Sequence, residues 1–311
     1  MDYQLRGKNA LITGGSRGLG LELARVLVDR GARVALVARD EAELARAASE
    51  LRQRGSPTRV VTHACDLTDG SSIDAMLARV RDALGPIDVL INNAGLIQVG
   101  PLDAMKVDDF EGAMKLHCFA PLRTMLGVRA SMRERGGGRI ANIASIGGVV
   151  SVPHLLPYSA SKFALVGLSQ GMRAELARDR IYITTVAPGL MRTGSPRQAQ
   201  MKGDHEREYA WFAVSDSLPL LSMSSERAAQ KIVRALERGQ PSLILGLPAK
   251  VAALANGIAP NLVSRALTLA NRLLPRGGDP RVKLGTESES RWVPSPLTLL
   301  TQRAELRNNE R

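Results

Sequence analysis

The chain has 311 residues, of which 44% are hydrophobic and 3% aromatic, so it can bury a full core built mainly from aliphatic side chains. Its two cysteines form no CxxC pair, which argues against a disulfide framework or a metal site and favours a cytoplasmic protein. The net charge of +12 is spread over segments that also carry acids, so we expect no nucleic-acid partner. Neither a secretory signal nor an apolar run of about 18 residues is evident.

Apolar strand-like runs alternate with helix-like segments along most of the chain. The predicted strands are 9–12, 33–38, 59–65, 87–92, 138–143, 181–187 and 242–245, and the predicted helices between the first four are 18–30, 40–54 and 71–84. Asp40 and Glu43 have the spacing of a helix N-cap pair. The alternation predicts an α/β fold with a parallel sheet that is covered by helices on both faces.

This rhythm stops near Leu247, which divides the chain into a catalytic domain, 1–247, and a helical extension with a polar tail, 248–311. Apolar residues between 262 and 274 form two adjacent rows on a helix, and such a wide apolar face must be covered. The sequence leaves three covers open: the chain's own lid, a partner subunit, or a membrane surface touched through 248–274. The tail from residue 276 is expected to be partly flexible.

A glycine-rich turn links the first strand to the first helix with the spacing TGxxxGxG, beginning at Thr13. Glycines permit a tight turn and a close backbone approach, while the helix N-terminus offers N–H groups and a positive dipole end to phosphate. We therefore predict a dinucleotide phosphate site in this turn. Its predicted contacts are Gly14, Ser16, Arg17, Gly18, Leu19 and Gly20.

The end of the second strand bears on the choice of cofactor. NAD sites carry an acid there, but this chain has Ala38 followed by Arg39, and Arg17 lies in the glycine turn. Two guanidinium groups suit a 2′-phosphate, so the sequence predicts NADP(H) in preference to NAD(H). Asp40 is a competing acid, although helix capping is its simpler role.

Three residues further along have the chemistry of carbonyl reduction. Tyr158 and Lys162 are four residues apart, so one helix places both on the same face. An unperturbed tyrosine has a pKa of about 10, and a neighbouring ammonium group favours the phenolate. Tyr158 would then protonate a forming alkoxide or deprotonate an alcohol. Ser145 ends the fifth strand 13 residues earlier, where its hydroxyl can hold a carbonyl oxygen.

Over about residues 6–247, the order of these features resembles the short-chain dehydrogenase/reductase (SDR) family. The resemblance implies a Rossmann-type doubly wound sheet of about seven strands, catalysis by Ser145, Tyr158 and Lys162, and a homodimer or tetramer. It also implies cofactor contacts by Asp66, Leu67, Asn93, Ala94, Gly95, Tyr158, Lys162, Pro188, Gly189, Leu190 and Thr193.

One residue departs from the family's pattern. Many members carry an asparagine on the helix after the fourth strand, where its backbone holds a water of a proton relay. His117 takes that place here. The change is compatible with a neutral substitution, with a modified relay in which the imidazole titrates, or with impaired catalysis.

The combined prediction is an NADP(H)-dependent oxidoreductase that interconverts a ketone or aldehyde and an alcohol. Tyr209, Trp211 and Phe212 lie in the segment 194–223, which in the family forms a lid, and they favour a lipophilic substrate. His154 is expected on a loop surface. Two alternatives are a catalytically weak NADPH-binding regulatory or scaffold protein and a membrane-peripheral lipid ketoreductase.

Overall fold

A computed structural model describes residues 2–54, 59–217, 222–289 and 304–310. Its central sheet has seven parallel strands in the order β7-β6-β5-β4-β1-β2-β3. The strands are β1 Asn9–Thr13, β2 Arg33–Ala38, β3 Val60–Ala64, β4 Val89–Asn92, β5 Gly138–Ile143, β6 Ile181–Pro188 and β7 Ser242–Leu245. The predicted doubly wound α/β fold is therefore confirmed, and each predicted strand lies within a few residues of its observed bounds.

Helices cover both faces of this sheet. Their bounds are α1 Gly18–Asp29, α2 Glu41–Gln53, α3 Gly70–Leu84, α4 Val107–Met114, α5 Ala120–Glu134, α6 Leu156–Leu176, α7 Ser195–Gln198, α8 His205–Ser217 and α9 Ser225–Glu237. Aliphatic side chains of α1, α2 and α9 form the core on one face, and those of α3, α5 and α6 form the core on the other. Asp40 caps α2 by accepting a hydrogen bond from the backbone N–H of Glu43, as its spacing predicts.

The order of the strands decides where a ligand can lie. Strands β1 to β3 are added toward one edge of the sheet, and β4 to β7 are added toward the other edge. The order reverses between β1 and β4, which are neighbours in the sheet although two other strands separate them in sequence. In open α/β sheets, the loops at the carboxyl ends of the strands on either side of such a reversal form a crevice. The turns that begin at Thr13 and Asn93 are those loops, and the ends of β5 and β6 lie beside them.

A second, smaller layer lies over this edge. Three short strands, Gln98–Val99, Gln200–Met201 and Lys283–Leu284, form a separate sheet. Helix α8 packs on it through Tyr209 and Phe212, which join a third apolar cluster together with Leu155 and the half-buried Tyr158. The segment predicted to be a lid is therefore a packed layer beside Tyr158, although 218–221 lie outside the described residues.

After β7 the chain forms a helical hairpin, α10 Leu247–Ile258 and α11 Pro260–Asn271. Every residue of α11 is exposed or half-buried, so the described residues of the chain's own lid leave the predicted apolar face uncovered. Within the described ranges, no helix is long and apolar enough to span a bilayer.

The last described segment of the carboxyl-terminal tail packs against the body of the protein. Residues 304–310 begin with a helical turn at 304–307 and are packed against α1, whereas a polar tail was predicted to be partly flexible. Asn308 and Glu310 are buried. These seven residues are therefore packed on the body, and partial flexibility of the tail from residue 276 stays a prediction.

Candidate active site

The glycine turn adopts a conformation that side chains would prevent. Gly14 and Gly18 have positive φ angles of +62° and +56°. A Cβ atom on Gly20 would lie 1.9 Å from the carbonyl oxygen of Gly14, so only glycine allows this approach. The turn thus delivers the N-terminus of α1 to the crevice without side chains of its own glycines in front of it. This geometry fits the phosphates of a dinucleotide.

The turn after β4 holds the glycine turn in place. The side-chain amide of Asn93 donates hydrogen bonds to the carbonyl oxygens of Thr13 and Gly14, at 3.1 and 3.0 Å. In return, the hydroxyl of Thr13 accepts from the backbone N–H groups of Asn93 and Ala94. These bonds connect residues about 80 positions apart, and they fix the crevice between β1 and β4.

The polar side chains of the glycine turn contact α2. Ser16 donates to a carboxylate oxygen of Glu43 at 2.9 Å, and Arg17 forms an ion pair with the other oxygen at 2.6 Å. Arg17 is predicted to bind a 2′-phosphate, and one of its terminal nitrogens is paired with Glu43. The sequence did not suggest this pairing, because Glu43 was interpreted only as part of a helix cap.

A cavity of about 430 Å³ lies beyond β2 and β3. Arg39 and Asp66, which are both predicted to contact the cofactor, line it together with His63 and Arg79. Burial and the charge of Arg79 lower the pKa of His63, so two guanidinium groups supply the cavity's positive charge at neutral pH. Arg79 is a residue of α3 that the sequence reasoning missed, and no local pattern marks it. Leu67 is buried in the core beside the cavity.

The three residues predicted to be catalytic lie close together at the ends of β5 and α6. Ser145 accepts a hydrogen bond from the backbone N–H of Gly147 at 3.0 Å. A Cβ on Gly147 would lie 3.3 Å from a ring carbon of Tyr158 and 3.5 Å from the Ser145 hydroxyl, so both groups flank this glycine. The ammonium nitrogen of Lys162 is 5.7 Å from the centre of the Tyr158 ring.

Lys162 is buried among groups that do not neutralise it. Its ammonium group donates to the carbonyl oxygen of Ile143 at 2.8 Å. Burial lowers the pKa of Lys162 to about 7. The lysine can therefore gain or lose a proton near neutrality.

His117 lies inside this group of residues, on a π-helical turn, Lys115–Phe119, that connects α4 to α5. Its Nε2 accepts the backbone N–H of Leu96 at 3.0 Å, and its Nδ1 is 2.8 Å from the hydroxyl of Ser161. Because Nε2 accepts, the ring proton belongs on Nδ1. Burial and the charge of Lys162 hold the pKa of His117 well below its ordinary value. The imidazole is thus neutral, and its edge-to-face contact with Tyr158, 5.5 Å between centroids, supports that ring.

The loop after β6 connects the site to the carboxyl-terminal hairpin. A Cβ on Gly189 would lie 2.9 Å from the Cβ of Ala249 in α10, and the Gly189 N–H donates to Leu245 at 2.9 Å. Thr193 is buried, and its hydroxyl donates to that of Ser195 at 2.7 Å. Pro188 ends β6 and Leu190 follows Gly189, so this loop, with its four predicted cofactor contacts, borders the same crevice.

His154 corrects a further expectation, since it is buried and not on a loop surface. Its Nδ1 lies 2.7 Å from a carboxylate oxygen of Glu208, and the indole N–H of Trp211 donates to the other oxygen at 2.7 Å. Glu208 is fully buried on α8. The sequence reasoning missed Glu208, because an acid in a charged helix is usually exposed. The pair joins the lid to the loop just before Tyr158.

Known proteins share this sequence and this arrangement. The sequence profile described as short chain dehydrogenase matches residues 8–203. A fatty acyl-CoA reductase from Acinetobacter baylyi is 33% identical over 273 residues, which cover 87% of this chain and 86% of the relative.

Solved structures agree with the sequence match. A short-chain dehydrogenase from Streptomyces avermitilis superposes with a TM-score of 0.72 at 30% identity, covering 86% of this chain and 96% of that one. An L-sorbose reductase from Gluconobacter frateurii, complexed with NADPH and L-sorbose, gives a TM-score of 0.71 at 27% identity, with coverage of 79% and 97%.

Proposed function

This chain belongs to the short-chain dehydrogenase family of oxidoreductases, and from that premise we propose that it transfers hydride between NADP(H) and a ketone or aldehyde, with Tyr158 as general acid and base. The observation that carries the proposal is the convergence of Ser145 and Tyr158 on Gly147, with Lys162 beside them. All three lie at the sheet edge where the glycine turn opens α1. This intact set disfavours the alternative of a weak regulatory or scaffold protein.

Each residue of the set has a distinct part in the proposed reaction. The Ser145 hydroxyl holds the carbonyl oxygen, and Tyr158 donates its phenolic proton to the alkoxide that forms. Lys162, with its pKa lowered to about 7, stabilises the phenolate when protonated and can return a proton. The neutral His117 positions Tyr158 and Ser161 and does not itself act as an acid. When bound, a reduced nicotinamide supplies the hydride.

The proposed preference for NADP(H) rests on the charge of the cavity beyond β2 and β3. Arg39 and Arg79 line it, and β2 ends at Ala38 without an acid. A 2′-phosphate adds two negative charges that such a pair stabilises, whereas the hydroxyl of NAD(H) would lack an acceptor at Ala38. The L-sorbose reductase with the same fold was solved with NADPH.

We propose a lipophilic carbonyl compound as the substrate. The lid helix α8 places Tyr209 and Phe212 in an apolar cluster that includes Leu155 and Tyr158, so an acyl chain would find apolar contacts near the acid. The similar protein from Acinetobacter baylyi is a fatty acyl-CoA reductase. We also propose that the protein is a cytoplasmic homodimer or tetramer, because members of the family are commonly oligomeric.

One observation favours a second candidate, a membrane-peripheral lipid ketoreductase. The hairpin α10–α11 exposes large apolar side chains, among them Leu254, Ile258 and Leu262 at 65%, 75% and 67%. Its segment, residues 247–278, contains no acid but carries Lys250, Arg265, Arg272 and Arg276. Apolar area combined with uncompensated positive charge suits the surface of an anionic bilayer. We therefore propose that this hairpin rests on such a surface.

The substitution Tyr158→Phe tests the enzymatic proposal. With NADPH and a long-chain ketone or aldehyde, we expect the rate of NADPH oxidation to fall by at least about 100-fold, because general acid catalysis contributes that much. The dissociation constant of NADPH should stay within about threefold. Tyr182→Phe is the matched control, because Tyr182 lies in β6 beside Arg139 and Arg173, away from the trio.

Equal rates in the Tyr158→Phe variant and the natural protein would overturn the role of Tyr158. Two further comparisons separate the finer claims. Binding of NADH as tight as that of NADPH would contradict the cofactor preference. Turnover of small polar ketones alone, with no activity on long-chain carbonyl compounds, would contradict the lipophilic substrate.

A further inference from the structure

The carboxyl-terminal tail lies where the glycine turn presents its N–H groups. The backbone N–H of Gly18, the first residue of α1, donates to the carbonyl oxygen of Asn308 at 3.0 Å. The carboxyl group of Glu310 accepts the N–H of Gly194 from the loop after β6. Its other oxygen would be 3.0 Å from a Cβ placed on Gly18. Oxygen atoms of the tail thus bridge the glycine turn and the opposite loop.

That bridge coincides with the position expected for dinucleotide phosphates. A helix N-terminus at a glycine turn attracts phosphate through its N–H groups and its dipole. Here the N–H of Gly18 is already paired, and Glu310, which is 5% exposed, fills the space in front of it. A phosphate and the tail therefore cannot occupy this place together.

Side chains of the body hold the tail through specific contacts. Arg25, a buried residue of α1, donates to the side-chain oxygen of Asn308 at 3.2 Å and to the carbonyl oxygen of Arg307 at 2.7 Å. The amide of Asn308 in turn donates to Ser225 on α9 at 3.1 Å. Asn308 is fully buried, so both ends of its side chain are satisfied where water is excluded.

Asn309 makes a second set of contacts with the glycine turn itself. Its amide donates to the carbonyl oxygens of Ser16 and Glu43 at 2.9 and 3.1 Å, and its side-chain oxygen accepts from Arg46 at 2.8 Å. Its backbone has φ +57°, a conformation that asparagine tolerates better than most residues. The tail therefore contacts α1, α2, α9 and the loop after β6.

Resting on the proposed dinucleotide function, we propose that residues 304–310 are an intrachain plug, which occupies the phosphate site until the cofactor displaces it. Binding of NADPH then requires undocking of the tail. The apparent dissociation constant is the intrinsic one divided by the fraction of protein that is unplugged. The strength of docking of the plug then sets the chain's apparent affinity for its cofactor, without any change in the residues that hold the cofactor.

The chemistry of Glu310 makes the plug displaceable. Burial raises the pKa of Glu310 to about 8, although the hydrogen bond from the Gly194 N–H and the charge of Arg17 lower it; Glu305 and Glu43 add to the increase. At neutral pH the docked carboxyl is therefore mostly protonated. A neutral carboxyl is a weaker acceptor than a charged phosphate at a helix N-terminus, so a phosphate can replace it.

The test compares NADPH binding to the whole chain with binding to a chain that ends at residue 303. We expect truncation to lower the dissociation constant by at least about tenfold, which corresponds to a plug docked about 90% of the time. Asn309→Ala should lower it several-fold within the full chain, and Leu306→Ala, at a residue 66% exposed, should leave it within about twofold. The peptide AELRNNER should weaken binding to the truncated chain, and a scrambled peptide should not.

Trypsin provides a readout that does not depend on activity. Cleavage after Arg307 should be slow in the cofactor-free chain and faster with saturating NADPH, because displacement exposes the tail. Equal dissociation constants for the full and truncated chains, or weaker binding after truncation, would overturn the plug. If neither chain binds NADPH or NADH, the proposed function fails and the plug fails with it, a pattern distinct from equal binding.

Discussion

The hairpin α10–α11 and the tail 304–310 both follow the sheet in sequence, and their side chains lie in opposite surroundings. Leu254 and Leu273 of the hairpin region are 65% and 89% exposed, whereas Asn308 and Glu310 of the tail are 0% and 5% exposed. The tail faces backbone N–H groups at the start of α1, which need acceptors. The hairpin faces no matching apolar surface of its own chain in the described residues. Burial in this part of the chain thus depends on what each segment meets more than on its hydrophobicity.

The largest effect that would separate the two regions concerns lipid binding. Replacing Leu254, Ile258, Leu262 and Leu269 together by Asn should reduce partitioning onto vesicles of phosphatidylcholine and phosphatidylglycerol by at least about 100-fold, because several apolar side chains no longer enter the interface. Co-sedimentation measures this partitioning. The exposed pair Leu102 and Val107, likewise changed to Asn, is the matched control and should retain binding.

Two results would contradict the proposed contact between the hairpin and a membrane. Failure of the natural protein to sediment with anionic vesicles would rule out the membrane contact. If the natural protein is an oligomer in solution and the quadruple variant is a monomer, the exposed face is instead a subunit interface.

An intermediate effect concerns the pH dependence of cofactor binding. When the tail is docked, the pKa of Glu310 is about 8, above the ordinary value of a glutamate. Docking of the tail is therefore strongest at a pH below that ordinary pKa, and it weakens as the pH rises toward 8. The apparent affinity for NADPH should therefore increase between pH 6 and 8, by up to about tenfold per unit. Titration calorimetry at a series of pH values measures it.

The variant Glu310→Gln isolates this effect, because it keeps the shape of the side chain and removes its proton equilibrium. Titration of NADPH itself and of Lys162 is common to both proteins and cancels in the comparison. Identical pH profiles for the two proteins would show that Glu310 does not govern docking.

The smallest expected effect concerns the attachment of the hairpin. Asn256 of α10 donates to the carbonyl oxygen of Val149, after β5, at 3.1 Å. Asn256→Ala should reduce the free energy of unfolding by about 1 kcal/mol, the usual value of one hydrogen bond, and should speed amide exchange in α10. Asn261→Ala, on exposed α11, is the control. Slower or unchanged exchange in α10 would contradict an anchoring role for Asn256.

Much of the site follows from short-range pattern. The glycine turn and the spacing of Tyr158 from Lys162 are read within a few residues, since a turn and a helix are local structures. Ser145 follows from the end of a predicted strand. His117 was located but its state was not, because the neutral imidazole depends on Leu96 and Ser161 from other segments.

Other features depend on contacts between distant segments. The pairing of Arg17 with Glu43, the burial of His154 against Glu208 and the presence of Arg79 at the cavity have no local signal. Each joins residues that the fold, and not the chain, brings together. His154 and Glu208 are buried although their residue types predict exposure, because each satisfies the other's polar atoms.

The amino-acid sequence by itself determined the α/β fold class, the glycine turn and the spacing of Ser145, Tyr158 and Lys162, because periodicity and backbone conformation are local. Only the tertiary structure decided that the tail lies on the glycine turn. That contact joins Arg25 to Asn308 across 283 residues, and it forms because buried N–H groups need acceptors wherever the chain can supply them.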